Sequence, residues 1–397
     1  MGEIRKRLRW WLFHLYTVVR VIGIRKKERI RFLFIVSELT QWKTERLYRA
    51  MLNHPRFEPI IGITPSLGYP NAEKKVLDYC QNNGYYYILL DPAQTLVSQV
   101  NVDFVTHQKP YAGEIQKAHF VDSNRSIPVV IIPYYLSTIT EEWTVNQRLT
   151  YYAWRQFVDN ESCRTAWSKI HRFKGFNYKV TGVPVMDDLL TPKEQLKDVW
   201  PVSDGRKRII YAPHHTIADM HWRGIAYSTF LDYCQFMLKM RDKYKDKVYF
   251  VFKPHPSLKH RLIKYWGEEQ TESYYQAWEL DGCSHLESGK YLELFKYSDA
   301  LIHDCGSFTV EYMYTGNPVM YLLRDDCHLD NMIPYARQAF NLHYKGKSQA
   351  DIEQFIQNII DGKDPLKVER LAFCESNLLP PGGKSACDNI IDSILGQ

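Results

Sequence analysis

Short apolar runs alternate with polar or amphipathic stretches along most of the chain, which is typical of a parallel α/β sheet. The first run, residues 30–37 (IRFLFIVS), has the length and composition of a buried strand, and residues 38–53 after it have a helical pattern. The same alternation predicts further strands in this half of the chain, at residues 57–63, 85–90, 102–106, 128–132 and 177–180. We therefore expect a doubly wound domain over residues 29–190.

The pattern begins again after a charged, proline-containing stretch at residues 191–208 (TPKEQLKDVWPVSDGRKR). Apolar strands are predicted at residues 208–211, 248–252, 300–302 and 319–323. Because 397 residues exceed what one hydrophobic core usually supports, two domains are expected, and we place the second at residues 191–373.

A tight turn follows the predicted strand at residues 300–302. Gly306 permits the turn, Ser307 is a candidate N-cap, and the helix after it should end at Gly316 and Pro318. A helix N-terminus at the carboxyl end of a buried strand suits a diphosphate. An ordinary strand–turn–helix connection without a ligand is the alternative.

Three predicted strands of the second domain end in polar loops. His214 and His215 follow the first, Lys253 and His255 follow the second, and the Gly306 turn follows the third. Taken singly, each of these residues fits an ordinary loop. If the strands are parallel, however, all three loops lie at one edge of the sheet, where open α/β sheets bind ligands.

The positive charge is concentrated at one end of the chain. Residues 1–31 hold ten Lys and Arg against two Glu, whereas the whole chain has a formal net charge of +6. A general nucleic-acid surface is therefore not expected.

The apolar run at residues 10–22 (WWLFHLYTVVRVI) is too short to span a bilayer and lacks a signal-peptide cleavage site. Residues 1–28 thus predict a basic amphipathic helix on an anionic membrane surface. A helix packed on the protein itself or on a partner chain is the alternative.

Cysteine and acidic residues give no metal-site pattern. The eight cysteines are scattered, with no CxxC pair and no Cys/His spacing, which favours free thiols in a reducing cytoplasm. The second domain has no Asp-x-Asp motif, so a tightly bound Mg²⁺ is not predicted. We expect no metal and no cofactor.

Three segments carry a resemblance to a known family. Residues 253–256 (KPHP) match a KxHP element, residues 298–312 (SDALIHDCGSFTVEY) resemble SDxLITDYSSxxFEY, and residues 181–187 (TGVPVMD) resemble GxPrxD. The chain thus resembles the CDP-glycerol glycerophosphotransferase family of teichoic-acid and capsule polymerases, which adopt the GT-B fold. The resemblance covers about residues 30–323 and is most specific in the second half.

The resemblance implies two Rossmann-like domains facing across a cleft, with the nucleotide donor held mainly by the second. It implies that residues 374–397 cross back to the first domain. His255, Ser307 and Thr309 would contact phosphate oxygens, and Glu311 would approach the ribose. The implied set of nucleotide- and diphosphate-binding residues is Lys253, Asp304, Gly306, Ser307, Phe308, Thr309 and Glu311.

The sequence departs from the family at two places. The family's YxPTFR appears as residues 211–216 (YAPHHT), and its first-domain HG, which supplies the presumed base, aligns with Tyr134 and Tyr135. Either a second-domain histidine or His107 replaces that base, or the acceptor chemistry differs. The catalytic candidates are His255, His215 and His214, and the acceptor-side candidates are His107, Tyr134 and Tyr135.

The leading hypothesis is attack by an acceptor hydroxyl on the donor phosphorus distal to the nucleoside, with release of CMP. The acceptor would be a cell-surface polymer or lipid-linked glycan, and the protein would lie in the cytoplasm on the inner face of the membrane. The alternative is a GT-B glycosyltransferase with a nucleotide-sugar donor in capsule or lipopolysaccharide synthesis. A non-catalytic membrane-associated scaffold is a third hypothesis.

Overall fold

The computed structural model describes residues 2–93, 95–107, 109–111, 113, 115–120, 124, 126–217, 227–280, 282–287, 291–325 and 329–397. The chain divides into two compact units, Met1–Asp188 with Leu379–Gln397, and Leu189–Leu378. The observed division lies two residues before the boundary expected from the sequence, and the last 19 residues group with the first unit.

The strands are β1 Ile30–Val36, β2 Phe57–Ile63, β3 Tyr87–Leu89, β4 Phe104–His107, β5 Val129–Ile131, β6 Arg155–Val158, β7 Tyr178–Val180, β8 Lys207–Ala212, β9 Val248–Phe252, β10 Ser284–Leu286, β11 Ala300–His303, β12 Val319–Leu322 and β13 Tyr344–Gly346. The helices are α1 Gly2–Arg25, α2 Glu45–Leu52, α3 Ala72–Asn82, α4 Glu142–Val145, α5 Arg148–Tyr152, α6 Glu161–Ile170, α7 Pro184–Leu190, α8 Phe230–Tyr244, α9 Leu258–Trp266, α10 Glu268–Ala277, α11 Leu292–Lys296, α12 Phe308–Glu311, α13 Pro334–Asn341, α14 Gln349–Ile360, α15 Lys367–Asn377 and α16 Ala386–Leu395.

Each unit contains one parallel sheet. The first has the strand order β3-β2-β1-β4-β5-β6-β7, and the second has the order β10-β9-β8-β11-β12-β13. All pairings between these strands are parallel. The predicted doubly wound architecture is confirmed. The chain reverses its direction of winding between β1 and β4 in the first sheet and between β8 and β11 in the second, and such switch points are where these folds bind ligands.

The continuous apolar run of β1 reflects burial on both faces of its sheet. Phe32 and Phe34 pack into one core with Leu47 of α2, whereas Leu33 and Ile35 pack into a second core on the opposite face. A strand covered on both sides has no polar face, so its sequence does not alternate. In the second sheet, β9 is buried along its whole length, and its Phe250 and Phe252 lie in that unit's core.

α1 packs on the first unit through one face. The Trp10 ring stacks on Phe173 with centroids 3.9 Å apart, and its Nε1 donates to the Tyr151 carbonyl oxygen at 2.7 Å. Val21 and Ile24 lie in the first unit's core. The alternative given in the sequence analysis, a helix packed on the protein itself, therefore applies to this face of α1.

The opposite face of α1 carries large apolar side chains, each at least half exposed: Leu8, Trp11, Leu12, Leu15, Tyr16, Val19 and Ile22. Their spacing of three and four residues places them on one side of a helix. Among the described residues no helix is long and apolar enough to span a bilayer.

The seven described cysteines are free thiols, and Cys327 lies outside the described residues.

The contacts of Asp187 in α7 show what the GxPrxD-like segment at residues 181–187 does in the fold. Its two carboxylate oxygens accept hydrogen bonds from the backbone N–H groups of Ala386 at 2.7 Å and Cys387 at 2.8 Å, in the first turn of α16. Gly182, with φ +79°, brings the preceding loop close to Ala386, since a Cβ there would lie 3.0 Å from the Ala386 Cβ. The GxPrxD-like segment therefore caps α16 within the first unit.

We predict that Asp187→Ala lowers the free energy of unfolding of the first unit by about 2 kcal/mol, because two buried N–H groups at a helix N-terminus lose a charged acceptor. Scanning calorimetry should show the transition of that unit about 4–8 °C lower. Asp188→Ala is the control: Asp188 pairs with Arg46 at 3.0 Å and is one-third exposed, so its loss should matter less. Equal shifts in the two variants would contradict the capping role.

Candidate functional site

The three polar loops of the second unit follow strands that are direct neighbours. β8 lies between β9 and β11, with Tyr211 paired to Phe252 and Ala212 paired to His303. The carboxyl ends of all three strands therefore meet at the switch point of this sheet.

Backbone and side-chain hydrogen bonds join these loops. Lys253 N–H donates to the Tyr211 carbonyl oxygen at 2.8 Å, and His255 N–H donates to that of Pro213 at 2.9 Å. His214 N–H donates to Asp304 Oδ1 at 2.5 Å. The loops after β8, β9 and β11 thus form one structure.

Three imidazoles meet at the junction, and we call them the imidazole cluster: His214, His215 and His255. The ring centroid of His215 lies 4.1 Å from that of His214 and 4.2 Å from that of His255, and the remaining pair is 5.2 Å apart. The structure therefore brings together the three histidines that the sequence analysis selected as catalytic candidates.

Hydrogen bonds indicate which ring nitrogen carries the proton. His255 Nδ1 accepts from Ser257 N–H at 3.1 Å, which leaves the proton on Nε2. Thr216 Oγ1 accepts from Tyr227 N–H at 2.9 Å and from Ser228 N–H at 3.3 Å, so its own hydrogen is available to donate to His214 Nδ1, 3.0 Å away. Both rings then present Nε2–H groups as donors.

The positions of these ring protons distinguish between a metal ion and an oxyanion as the ligand. The candidate ligand atoms of the three histidines lie within 4.8 Å of one another, a spacing that a metal ion could bridge. A metal needs a nitrogen lone pair, however, and in His255 and His214 the lone pair on Nδ1 already accepts a hydrogen bond. The arrangement suits an oxyanion better than a cation.

Burial and neighbouring positive charge hold the cluster neutral. Burial, followed by His215, Arg261 and Lys253, lowers the pKa of His255 to about 3. Burial, followed by Arg261, lowers the pKa of His215 to about 4, and burial lowers the pKa of His214 well below its ordinary value. In the free protein these rings are therefore much less basic than a general base that works near neutral pH.

Two arginines beside the cluster were not selected from the sequence. Arg261 of α9 lies close enough to lower the pKa of all three rings, and its Nη1 donates to the His215 carbonyl oxygen at 3.5 Å. Arg324, just after β12, donates to the Thr216 carbonyl oxygen at 3.2 Å. Neither arginine belongs to a motif or to the three predicted loops, so no sequence pattern indicated that it lies near the cluster.

The turn after β11 is the most accessible part of its loop, with Gly306, Ser307 and Phe308 half-buried. The predicted end at Gly316 is confirmed, with φ +69° there, but the helix is short: α12 has four residues and continues as the 3-10 helix Tyr312–Thr315. Ser307 occupies the predicted N-cap position, but without the expected capping contact. Ser307 has helical backbone angles and makes no side-chain capping bond.

Three residues of the implied diphosphate set are buried and engaged within the protein. The carboxylate of Asp304, fully buried, accepts from His214 N–H and from the N–H and hydroxyl of Thr229. Thr309 donates to the Cys305 carbonyl oxygen, and Glu311 accepts from the Tyr291 hydroxyl at 2.5 Å. In this structure these contacts position the loops, and the ligand roles expected for the three residues stay predictions.

Lys253 is half-buried, and its ammonium lies 5.9 Å from the centroid of the Tyr291 ring. The same ring packs against Phe308, with centroids 5.4 Å apart. Tyr291 therefore joins Lys253 to the turn after β11, a role that the sequence analysis did not assign to it.

The acceptor-side candidates all lie in the first unit. His107 ends β4 and is buried, while Tyr134 and Tyr135, after β5, are half-buried with ring centroids 4.7 Å apart. The ammonium of Lys109 lies 5.9 Å from the Tyr134 ring centroid. His107 therefore lies at the switch point between β1 and β4, whereas the two tyrosines follow the neighbouring strand β5.

The two parallel, doubly wound domains have the topology expected of the GT-B fold, which similar solved structures share. The chain belongs to the CDP-glycerol:poly(glycerophosphate) glycerophosphotransferase family, whose sequence model matches residues 16–330. Membership confirms the family suggested by the motifs and makes the chain a transferase at the family level. No curated protein sequence matches it.

Several solved structures are similar in fold. A variant of the wall teichoic acid polymerase TagF is 12% identical, with 99% of this chain and 97% of that chain covered and a TM-score of 0.59. A putative UDP-N-acetylglucosamine 2-epimerase from Listeria monocytogenes is 15% identical, with 93% and 96% covered and a TM-score of 0.57. The UDP-GlcNAc 2-epimerase from Neisseria meningitidis, bound to UDP-GlcNAc, is 16% identical, with 93% and 100% covered and a TM-score of 0.56.

We predict that His255→Gln reduces the loss of stability on acidification. The folded-state pKa of His255 lies below that of the unfolded chain, so its contribution to stability is fully present above pH 6.5 and is lost as pH falls toward 3. Between pH 7 and pH 5 the free energy of unfolding of the second unit should fall by about 1–2 kcal/mol less in the variant than in the wild type.

Urea denaturation at the two pH values measures this difference. His260→Gln, at an exposed position of α9, is the matched control and should follow the wild type. If His255→Gln also follows the wild type, His255 is not held neutral by burial.

Proposed function

We propose that the chain transfers glycerol phosphate, or a related polyol phosphate, from a CDP-activated donor to a hydroxyl of a cell-surface polymer or lipid-linked glycan, and that CMP is released. The imidazole cluster carries this proposal, because it places neutral N–H donors at the switch point of the second sheet. Family membership supports the type of group transferred.

The donor diphosphate would bind at the imidazole cluster. The Nε2–H groups of His255 and His214 can donate to phosphate oxygens, and Lys253 and Arg261 add positive charge beside the rings. The half-buried turn at residues 306–308 adds backbone N–H groups at the same edge of the sheet. Charge-assisted hydrogen bonds of this kind are stronger than neutral ones.

In the reaction, the acceptor oxygen forms a bond to the phosphorus distal to the nucleoside while the bond from that phosphorus to the CMP oxygen breaks. The bond electrons leave with CMP, and the imidazole cluster and Arg261 would stabilise the added charge. The hydroxyl proton needs a base. A bound diphosphate raises the pKa of a nearby imidazole, and His215 is the candidate within the cluster. No metal takes part in this proposal.

We predict a cytidine-selective thermal shift in a panel of CMP, CDP, UDP, GDP, CDP-glycerol and CDP-ribitol. His255→Ala and Arg261→Ala should each weaken CDP-glycerol binding by roughly tenfold or more, since each removes a donor to an anion. His260→Ala is the control.

In a CMP-release assay with CDP-glycerol, His255→Ala should be about 100-fold slower, and chelation of divalent ions should not change the wild-type rate.

The panel also separates the competing functions. A uridine- or guanosine-selective shift, with a new glycosidic bond in the product, would favour the nucleotide-sugar glycosyltransferase. The third hypothesis, a non-catalytic scaffold, would remain if no nucleotide shifted the melting temperature and if cells carrying His255→Ala made as much surface polymer as the wild type.

We propose further that the exposed apolar face of α1 lies in the cytoplasmic surface of the cell membrane. Seven large side chains on that face are at least half exposed, and ten Lys and Arg lie within residues 1–31. An exposed apolar face on a segment rich in Lys and Arg suits the interface of an anionic bilayer. The packed face, through Trp10 and Ile24, would hold the first unit against that surface.

We predict that the triple substitution Trp11→Ser, Leu15→Ser and Val19→Ser releases the protein from phosphatidylglycerol vesicles. Each residue is 56–61% exposed, so the fold should persist while the apolar area available to the bilayer falls. Co-sedimentation should show binding weakened by roughly tenfold or more.

The matched control replaces three exposed apolar residues elsewhere, Leu52, Tyr265 and Val368, with Ser. The control should bind like the wild type, and neither protein should bind zwitterionic vesicles strongly. Equal binding by the triple variant and the control would count against α1 as the membrane contact.

A further inference from the structure

The ring of His303 supports the turn after β11 from behind. His303 is the last residue of β11 and is fully buried, and its Nδ1 accepts a hydrogen bond from the backbone N–H of Cys305 at 3.1 Å. The contact reaches two residues ahead, as in an Asx turn, so it fixes the backbone where the chain leaves the strand. Because it is fully buried, His303 can act on a ligand only through the turn.

The turn keeps three backbone donors available. The N–H groups of residues 306–308 donate no hydrogen bond within the part of the chain that the structure describes, whereas Thr309 N–H donates to the Gly306 carbonyl oxygen at 3.2 Å. The Cys305 N–H comes immediately before these three groups along the chain. Its bond to His303 therefore helps to set the direction in which the three donors point.

A second buried imidazole lies beside His303. His343, between α13 and β13, is 3% exposed, and its ring centroid lies 5.4 Å from that of His303. His343 Nδ1 lies 2.8 Å from the Ala339 carbonyl oxygen, which can only accept, so this nitrogen carries the proton. His303 has the opposite tautomer, since its Nδ1 is the acceptor and its proton is on Nε2.

The two rings are complementary at Nε2. His303 has a donor there and His343 has a lone pair, and each Nε2 atom is buried without a hydrogen-bond partner among the described residues. A buried polar atom is costly unless it is paired. A hydrogen bond from His303 to His343, direct or through one buried water, would satisfy both atoms and would fix His303 in the tautomer that the turn requires.

Burial keeps both rings neutral. It lowers the pKa of His303 to about 3. Burial, followed by the charge of His303, lowers the pKa of His343 well below its ordinary value, and the neighbouring cations Lys345 and Arg370 act in the same direction. A protonated His303 would carry hydrogen on both ring nitrogens and could no longer accept from Cys305, so neutrality is part of the arrangement.

We propose that His303 is a positioning residue for donor binding. Its Nδ1 holds the turn at residues 305–308 in the shape that presents three backbone N–H groups to the donor diphosphate, and His343 holds the ring in the required tautomer. The inference rests on the proposed function, because it takes the diphosphate as the ligand of this turn. It adds two residues that lie behind the site and belong neither to the imidazole cluster nor to the acceptor-side candidates.

His303→Thr and His303→Val form a matched pair of variants. The two new side chains have nearly the same shape, but only the threonine hydroxyl can accept from Cys305 N–H. Threonine is also the residue at this position of SDxLITDYSSxxFEY. Calorimetry should show that the threonine variant binds CDP-glycerol within about threefold of the wild type, and that the valine variant binds it roughly tenfold more weakly than the threonine variant.

Two further measurements separate positioning from a general loss of structure. His303→Asn, whose side-chain oxygen can accept from the same N–H, should bind CDP-glycerol like the threonine variant. In the valine variant the KM for CDP-glycerol should rise by roughly tenfold while kcat changes by less than about threefold, because the turn binds the ground state and the transition state alike.

His343→Leu tests the second imidazole, and Tyr321→Phe is its control. The Tyr321 ring also packs against His303, with centroids 5.1 Å apart. We expect His343→Leu to weaken CDP-glycerol binding by roughly threefold or more and Tyr321→Phe to stay within twofold of the wild type. A loss in Tyr321→Phe with none in His343→Leu would overturn the role of His343.

The tautomers can be read directly in the wild-type protein. Nitrogen-15 NMR of the histidine-labelled full-length chain at pH 7 should show His303 with its proton on Nε2 and His343 with its proton on Nδ1. The signals are assigned by their disappearance in His303→Thr and His343→Leu. A proton on Nδ1 of His303, or a charged ring at either position, would overturn the proposal.

These measurements also separate this inference from the proposed function. A wild-type protein that binds CDP-glycerol, with equal affinity in His303→Thr and His303→Val, would refute the positioning role alone. A wild-type protein that binds no cytidine nucleotide would refute the proposed function, and the NMR tautomers would still test how His303 holds the turn.

Discussion

The fully buried carboxylate of Asp304 holds together the site in the second unit. One of its oxygens accepts from the backbone of His214, and the other accepts from the backbone and hydroxyl of Thr229. Burial raises the pKa of Asp304 to about 6, and the hydrogen bonds from Thr229 and His214 oppose that shift. This one side chain ties the end of β11 to the loop after β8 and to the start of α8, and the imidazole cluster depends on that geometry.

Neutral N–H donors are physically better suited than charged imidazoles to a buried cluster of this kind. Several protonated imidazoles in a buried cluster would repel one another and Arg261, and each would be costly to desolvate. With a proton on Nε2 and the lone pair on Nδ1 engaged, His255 and His214 can donate to an anion without a net charge of their own. The charge is supplied instead by Lys253 and Arg261 beside the rings.

Much of this could be predicted from the sequence, because buried parallel strands have a distinctive composition. The run at residues 30–37 and the three strands before the polar loops were predicted for that reason, and the KxHP and SDxLITDYSS-like segments indicated the family. β6 was missed because the polar residues Arg155 and Gln156 interrupt the apolar pattern of this strand. Gln156 is nevertheless buried. Arg261 was missed because it reaches the imidazole cluster through tertiary packing, which the local sequence pattern does not show.

The packing of α1 also affects how the protein would behave at a surface. Arg25, at the end of α1, donates to the carbonyl oxygens of Ser393 and Ile394 in the last turn of α16, and the first turn of α16 is capped by Asp187. The amino-terminal helix is thus part of the folded body rather than a flexible tether. With the proposed membrane contact of α1, a rigid attachment of this kind would fix the orientation of the first unit and its distance from the bilayer.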